Sequence, residues 1–393
     1  MPNNPKALIN NTNLVSATTF LLSISSLSII PVLPLFISKT ANSYRGAGLV
    51  IASYYVAAIL VQYPLATKQQ TISKKFLISS GTLLFALGAL GLALKGPLAV
   101  AIVSRAIQGA GFGATSLGAN SLLALDRTLD FKGPAYAKLT ASQISGSALG
   151  PLMAALIGFN HARLIFLSSL ALSLIASALS IGLKNPVTTQ DKLIYREQKL
   201  LTNTPLASVT IACLFFLASG CLTGMYDTTW SPYMLSVKSN SFGISLSWVA
   251  FSVPFVAFSP VAGKLTKTKN PVFLAFLSAM LSVFFAAIYP LVKIATVLII
   301  LCALEAIGAS LGPPSIQTFL TTHTKEANQT KYQSFALISM LSGTAFFAAI
   351  SGIFIKSSIV TPFYLAATVS LMCAILALAI FFSSLKKSRI KLQ

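Results

Sequence analysis

Long apolar runs, separated by short polar segments, make up most of this chain. A helix needs about 20 mostly apolar residues to cross the hydrocarbon core of a membrane. Twelve runs reach that length, and we expect one transmembrane helix in each. They lie at residues 14–37, 46–66, 76–94, 98–123, 136–158, 163–183, 206–232, 243–263, 271–290, 294–318, 331–354 and 361–384. The pattern predicts an all-α protein that crosses a membrane many times.

The longest polar segment lies in the middle of the chain, from Lys184 to Pro205, and reads KNPVTTQDKLIYREQKLLTNTP. It separates the predicted helices into two sets of six. We expect an N-terminal half at residues 1–184, a cytoplasmic central loop at 185–205 and a C-terminal half at 206–393. The halves share a short similarity, because PLATK at 64–68 and PVAGK at 260–264 each end the second helix of a half.

Composition supports a membrane location. Only 9% of the 393 residues are charged and the mean hydropathy is +0.80, whereas a soluble domain carries about 25% charged residues. The polar stretch from Met1 to Asn13 precedes an apolar run that is too long for a signal peptide. We therefore expect no cleaved signal.

The net charge of +21 would suit a nucleic-acid partner, but its distribution argues against one. The basic residues lie in short segments between the apolar runs. If the N-terminus faces the cytoplasm, 20 of the 28 Lys and Arg residues fall in inside segments and 7 in outside segments. Basic residues favour cytoplasmic loops, so this bias predicts a cell-membrane protein with both termini in the cytoplasm.

Arg105 and two carboxylates, Asp227 and Glu305, lie at membrane depth. A charge there costs roughly 3 kcal/mol or more, so each should face a cavity or a polar partner. At about 1.5 Å per residue, Glu305 lies ~16 Å and Arg105 ~11 Å from the outer start of its helix, whereas Asp227 lies near an outer helix end. Glu305 is therefore the first candidate for a proton-binding group, and Asp227 is the second.

Three motifs follow one another around Arg105. They are Arg105-x-x-Gln108-Gly109, then Asp126 with Lys132-Gly133, then Gly146-x-x-x-Gly150-Pro151. They resemble the fourth-helix R-x-x-Q-G, the loop D…R-G and the fifth-helix G-x-x-x-G-P motifs of the major facilitator superfamily. The last motif is associated there with drug/proton antiporters. The resemblance implies the major facilitator fold, with twelve helices in two halves, and transport by alternating access.

One motif of that family is only partly present in this chain. After the second helix the family has G-x-x-x-D-R-x-G-R-K, whereas this chain reads ATKQQTISKK at 66–75 and keeps only the basic pair Lys74 and Lys75. We expect the charge interaction that latches the cytoplasmic side in the family to be altered or missing.

The resemblance also places polar and aromatic residues in helices that line the family's cavity. Candidates for substrate contact are Gln108, Tyr54, Tyr226, Trp230 and Gln317. The amides could equally bridge helices, and the aromatic residues could anchor helix ends at the membrane interface. We expect Gly109, Gly146, Gly150 and Pro151 to set close helix packing and bends.

Burial favours the protonated form of a carboxyl group, and a nearby cation favours the ionised form. A Glu305 that moves between water and an apolar cavity, beside or away from Arg105, would bind and release a proton as the protein alternates. The alternatives are a static pair with Arg105 and a Glu305 that is hydrogen-bonded to neighbouring helices. For Asp227 they are an outer-gate residue and a solvated residue.

The leading function is proton-coupled efflux of small amphipathic or hydrophobic compounds. The alternatives are uptake or facilitated transport of a nutrient metabolite or lipid, and a receptor or scaffold that does not transport. The sequence has no HExxH, P-loop or Gly-x-Gly-x-x-Gly motif, and its four cysteines lie in apolar runs without a CxxC pair. We expect no metal, cofactor or enzyme activity. The expected partners are a small-molecule substrate, protons and the lipid bilayer, with the chain acting as a monomer.

Overall fold

The computed structural model describes residues 5–40, 44–67, 72–94, 96–125, 132–185, 206–324 and 326–390. In these residues the chain forms fourteen α-helices and no strand. The first seven are α1 (Pro5–Ile29), α2 (Leu33–Thr40), α3 (Tyr44–Thr67), α4 (Lys74–Ala93), α5 (Leu98–Leu125), α6 (Lys132–Ile157) and α7 (Ala162–Ile181). The others are α8 (Leu206–Ser236), α9 (Ser241–Leu265), α10 (Pro271–Ile288), α11 (Ala295–Ala309), α12 (Gly312–His323), α13 (Glu326–Phe354) and α14 (Thr361–Ile390).

Each predicted apolar run corresponds to a helix, except that two runs are broken into helix pairs. The first is interrupted between α1 and α2, at Pro31, and the tenth between α11 and α12, just before Pro313 and Pro314. Proline lacks the N–H that a helix interior requires and clashes with the preceding turn. Both breaks lie at such prolines, although the prolines inside α3, α6, α8 and α9 leave those helices continuous.

Eleven spans in the described chain are long and apolar enough to cross a membrane. The predicted helix that is not among them is α6, where Lys138, Gln143 and several serines interrupt the apolar run. This helix packs against α1 of its own half and α9 of the other half. It completes an all-α bundle, in which we call α1–α7 the N-terminal half and α8–α14 the C-terminal half.

The two ends of the bundle are packed differently. We call the end where α3 begins and α13 ends the outer end, because the Lys/Arg bias predicts that it faces outside. There, Leu35 of the N-terminal half shares a hydrophobic cluster with Trp230 of the C-terminal half, and Ala348 shares one with Val50. At the opposite, inner end each hydrophobic cluster lies within a single half. The bundle is therefore closed at the outer end.

Glycines allow the backbones of α3 and α13 to touch where the outer end closes. A methyl group on Gly48 would lie 2.5 Å from the carbonyl oxygen of Ala348 and 3.0 Å from Cα of Gly352. Real side chains do not approach backbone atoms this closely, so only glycine permits the contact. The two halves therefore meet here in direct backbone contact.

The motif glycines make similar contacts inside the N-terminal half. A methyl group on Gly109 of α5 would overlap the carbonyl oxygen of Tyr54 in α3. On Gly146 of α6 it would lie 2.5 Å from the carbonyl oxygen of Phe20 in α1, and Gly150 meets the same helix one turn further on. The glycines of both helix motifs thus lie at helix-to-helix contacts.

At the inner end, hydrogen bonds to uncharged oxygen atoms hold the start of α4. Lys74 is buried and donates from Nζ to the carbonyl oxygen of Ile72 at 2.8 Å. The amide oxygen of Asn185 accepts from Ser73 Oγ at 2.9 Å and from the backbone N–H of Lys75 at 3.1 Å. Asp126 and the predicted central loop, apart from residue 185, lie outside the described residues, and Lys132 is the first residue of α6.

We predict that Gly109→Ala destabilises the protein by about 1–3 kcal/mol, because the new methyl group must push α5 away from α3. The matched control is Gly263→Ala, since an added methyl group there meets no described atom within 4 Å. Thermal unfolding in detergent would show a lower midpoint for the first variant only. Equal midpoints for the two variants would contradict the packing role of Gly109.

Candidate functional site

Glu305 lies in the last third of α11 and is buried, with 3% of its surface exposed. Both of its carboxyl oxygens have a partner. Tyr226 of α8 donates to Oε1 at 3.0 Å, and Tyr289, which follows α10, donates to Oε2 at 2.6 Å. No ion pair with Glu305 is formed by any basic side chain that the structure describes. Two neutral hydroxyl groups therefore hold this carboxyl group.

Tyr289 was not among the candidates from the sequence. It sits in a short 3-10 turn, Tyr289–Leu291, and is fully buried. Its only local signal is the following proline, which is typical of a helix end. Its contact with Glu305 depends on the orientation of α10 and α11 about their own axes. The pattern of apolar residues along the sequence does not define that orientation.

A cavity of about 260 Å³ lies beside Glu305, between α8, α9, α10, α11 and α12. Its walls are mainly aromatic and aliphatic, with a few hydroxyl groups and no other ionisable acid or base apart from Tyr226. Representative lining residues are Phe215, Phe251, Phe255, Ile316, Ser278 and Ser282. The cavity can therefore hold an apolar molecule whose polar or cationic group reaches Glu305.

A second cavity of about 130 Å³ adjoins the first and shares Thr223, Tyr226, Phe251 and Glu305 with it. It extends to Asp227, and aromatic rings line it. Every residue that lines either cavity comes from the C-terminal half. The two membrane-depth carboxylates thus both line the smaller cavity.

Asp227 belongs to a different set of contacts from Glu305. It is 5% exposed, so the expectation of a solvated residue does not hold. Its Oδ2 accepts a hydrogen bond of 2.5 Å from the hydroxyl group of Tyr55, which belongs to α3 in the N-terminal half. It also interacts electrostatically with Arg105 of α5. Asp227 therefore joins the two halves.

Arg105 is fully buried and stacks on an aromatic ring. Its guanidinium carbon lies 4.3 Å from the centre of the Tyr54 ring, and Nη1 donates to Gln108 Oε1 at 2.8 Å. Its Nε and Nη2 have no hydrogen-bond partner among the described side chains and backbone. The possible pair between Arg105 and Glu305 is not formed, since Arg105 contacts Tyr54 and Gln108 whereas the partners of Glu305 are two tyrosines.

The structure separates the predicted substrate contacts into three groups. Tyr226 and Trp230 line the cavities, and Trp230 also donates from Nε1 to Ser247 Oγ at 2.7 Å. Tyr54 and Gln108 are buried beside Arg105. Gln317 is exposed on α12 and does not line either cavity.

We compared the sequence with models of known protein families. The model of the Major Facilitator Superfamily matches residues 15–304 and 212–392, which together cover almost the whole chain. The chain belongs to the Major Facilitator Superfamily. The fold and the motifs around Arg105 agree with this assignment.

Individual members of the superfamily show more distant similarity. The quinolone resistance protein NorA of Staphylococcus aureus (strain MSSA476) is 25% identical over 231 residues, which cover 55% of this chain and 59% of NorA. The match thus spans little more than half of that relative.

Known structures share the fold at low identity. The nucleoside transporter NupG has a TM-score of 0.72 at 15% identity, covering 94% of this chain and 99% of NupG. A bacterial homologue of the human lysosomal transporter Spinster has a TM-score of 0.74 at 13% identity, covering 98% of both chains.

We predict that Ala279→Trp weakens ligand binding in this superfamily member without unfolding it. Ala279 lines the larger cavity, and an indole ring would fill much of that space. We expect the affinity for a fluorescent lipophilic cation, measured by anisotropy, to fall by about tenfold or more, which is about 1.4 kcal/mol.

The matched control for that variant is Leu277→Trp on the same helix. Leu277 is 47% exposed on the outer surface of the bundle, where a tryptophan meets no cavity wall. The control should bind the probe as the native protein does. Unchanged binding by Ala279→Trp would show that the ligand lies elsewhere.

Proposed function

We propose that this chain is a secondary transporter that works by alternating access and exports small amphipathic or hydrophobic molecules in exchange for protons. The observation that carries the proposal is Glu305, a buried carboxyl group in the wall of an apolar cavity, with no basic partner among the described residues. Membership of a transporter superfamily supports the general activity. The site supports the coupling to protons.

The surroundings of Glu305 favour a reversible change of charge. An ionised carboxylate in a mainly apolar cavity is costly unless hydrogen bonds or a cation compensate it. Tyr226 and Tyr289 supply two hydrogen bonds, which offset part of that cost. A proton or a bound organic cation could supply the rest. Because both neutralise the same group, binding of one disfavours binding of the other, and this competition is what exchange transport needs.

Several features support an amphipathic substrate and outward transport. Aromatic walls with few polar groups suit a flat apolar molecule that carries one positive charge. The similarity to a quinolone resistance protein is consistent with export. On this proposal the protein lies in the cell membrane with both termini in the cytoplasm. Its halves extend over residues 1–184 and 206–393, and the cavity takes substrate from the inner side.

We predict that Glu305→Gln removes substrate-driven proton flux, because an amide does not bind a proton at physiological pH. The purified protein is placed in liposomes that contain a pH-sensitive dye. A panel of lipophilic cations, neutral drugs and small metabolites is then added. The native protein should move protons in response to at least one lipophilic cation, and Glu305→Gln should give the signal of empty liposomes.

The matched control is Glu197→Gln, the same substitution in the polar segment between the halves. It should retain the proton flux. Flux that persists in Glu305→Gln would assign coupling to Asp227 or another group. Substrate movement without protons would favour facilitated transport or uptake of a nutrient or lipid, and no movement of any compound would favour a receptor or scaffold.

A further inference from the structure

The hydrogen bond between Tyr55 and Asp227 is a polar contact between the two halves within the membrane. The hydroxyl group of Tyr55, in the middle of α3, donates to Oδ2 of Asp227 on α8 at 2.5 Å. A distance of about 2.5–2.7 Å is typical of a hydroxyl group that donates to a carboxylate. By contrast, the hydrogen bonds of Glu305 stay within the C-terminal half.

This contact lies next to the closed outer end. Asp227 is nine residues before the end of α8, and the adjacent Thr228 donates from Oγ1 to the carbonyl oxygen of Ala348 at 3.3 Å. Ala348 is also the residue that faces Gly48 where α3 and α13 touch. Separation of the halves at the outer end would therefore break the Tyr55–Asp227 bond and expose the carboxyl group to outer water.

The groups that face Asp227 come from several elements. The titratable and charged ones are Tyr54 and Tyr55 on α3, Arg105 on α5, Tyr226 on α8 itself, Cys302 and Glu305 on α11, and Tyr289 after α10. Helix α13 also packs against α8, but its titratable residues all fall within residues 326–332, at the far end. Arg105 is the only cation in this set, and its Nε and Nη2 have no described hydrogen-bond partner.

We propose that Tyr55 is a positioning residue that holds the outer end closed by binding Asp227, and that a proton taken up by Asp227 from the outer side favours this closure. The second clause rests on the proton-coupled function proposed above, whereas the first rests on the contact alone. A carboxylate in outer water must lose its hydration to become buried, and this is costly. A carboxyl group that has gained a proton avoids that cost, and its carbonyl oxygen still accepts the hydroxyl hydrogen of Tyr55.

The proposal gives the two carboxyl groups separate tasks. Glu305 lies where substrate and proton compete, whereas Asp227 lies where the halves part. Both line the smaller cavity, so a proton taken up at Asp227 has a short route to the larger one. Arg105 offsets part of the cost of the ionised form in the closed state, so the proton can still leave Asp227 after the outer end has closed.

The test measures how often the outer end opens. The four native cysteines, Cys213, Cys221, Cys302 and Cys373, are replaced by alanine, and Ala47→Cys is introduced as a reporter. Ala47 is fully buried at the outer start of α3, so a bulky thiol reagent reaches it only after the halves separate. The protein is studied in nanodiscs, where the reagent reaches both faces. Ser219→Cys, on the exposed wall of the larger cavity, reports on the inner side in a second background.

We expect Tyr55→Phe to increase the labelling rate at Ala47→Cys by about tenfold, because loss of one ordinary hydrogen bond has an effect of this size. Labelling at Ser219→Cys should fall, because opening of one side closes the other. Local unfolding would instead raise both rates. In an Asp227→Leu background, Tyr55→Phe should have no further effect on labelling, since the acceptor is already absent.

The matched control is Tyr63→Phe, the same substitution on the same helix at a residue that is 55% exposed. It should leave labelling at Ala47→Cys unchanged. A second comparison uses the Ala47→Cys reporter with either native Asp227 or Asp227→Asn, whose amide side chain stays neutral. Raising the pH should speed labelling more in the protein with native Asp227. Labelling that is unaffected by Tyr55→Phe, or equally raised by Tyr63→Phe, overturns the role of Tyr55. A Tyr55 effect without any dependence on pH overturns the proton clause alone, independently of the liposome result for Glu305→Gln.

Discussion

A charge at membrane depth must be compensated by groups that the protein itself supplies, and this requirement organises the interior of the bundle. Arg105, Asp227 and Glu305 meet it in different ways. Arg105 stacks on an aromatic ring and pairs with an amide. Asp227 combines a hydroxyl group from the other half with the field of Arg105. Glu305 has two hydroxyl groups and no described cation. The least compensated carboxyl group is therefore the one beside the larger cavity.

Close helix contacts place these groups. Gly48 and Gly352 let α3 and α13 touch at the outer end, and this contact brings Tyr55 within reach of Asp227. Gly109 brings α5 against α3, so that the Arg105 guanidinium lies over the ring of Tyr54. The inner end has no hydrophobic cluster that spans both halves within the described chain. The two ends of the bundle are therefore packed differently. The cavities lie in the C-terminal half, and the contact between the halves lies toward the outer end.

The helices could be predicted from the sequence because hydrophobic length is a local property. The breaks at Pro31 and Pro313 also have local causes, but the apolar runs continue across them, so each pair was expected as one helix. The site was only partly predictable. Burial of Glu305 follows from its place in an apolar run, whereas its contact with Tyr289 depends on the rotation of two helices. For the same reason Gln317 was expected in the cavity but is exposed on α12.

The central claim is that a proton and the substrate compete for one buried carboxyl group. The most direct measurement is the proton balance of binding itself. A lipophilic cation is titrated into the purified protein in weakly buffered detergent solution, and an indicator dye reports proton release. The account predicts that binding of the cation releases protons and that the affinity for the cation rises with pH. Both effects should be absent in the Glu305→Gln variant. Binding without proton release and with the same affinity at every pH would contradict it.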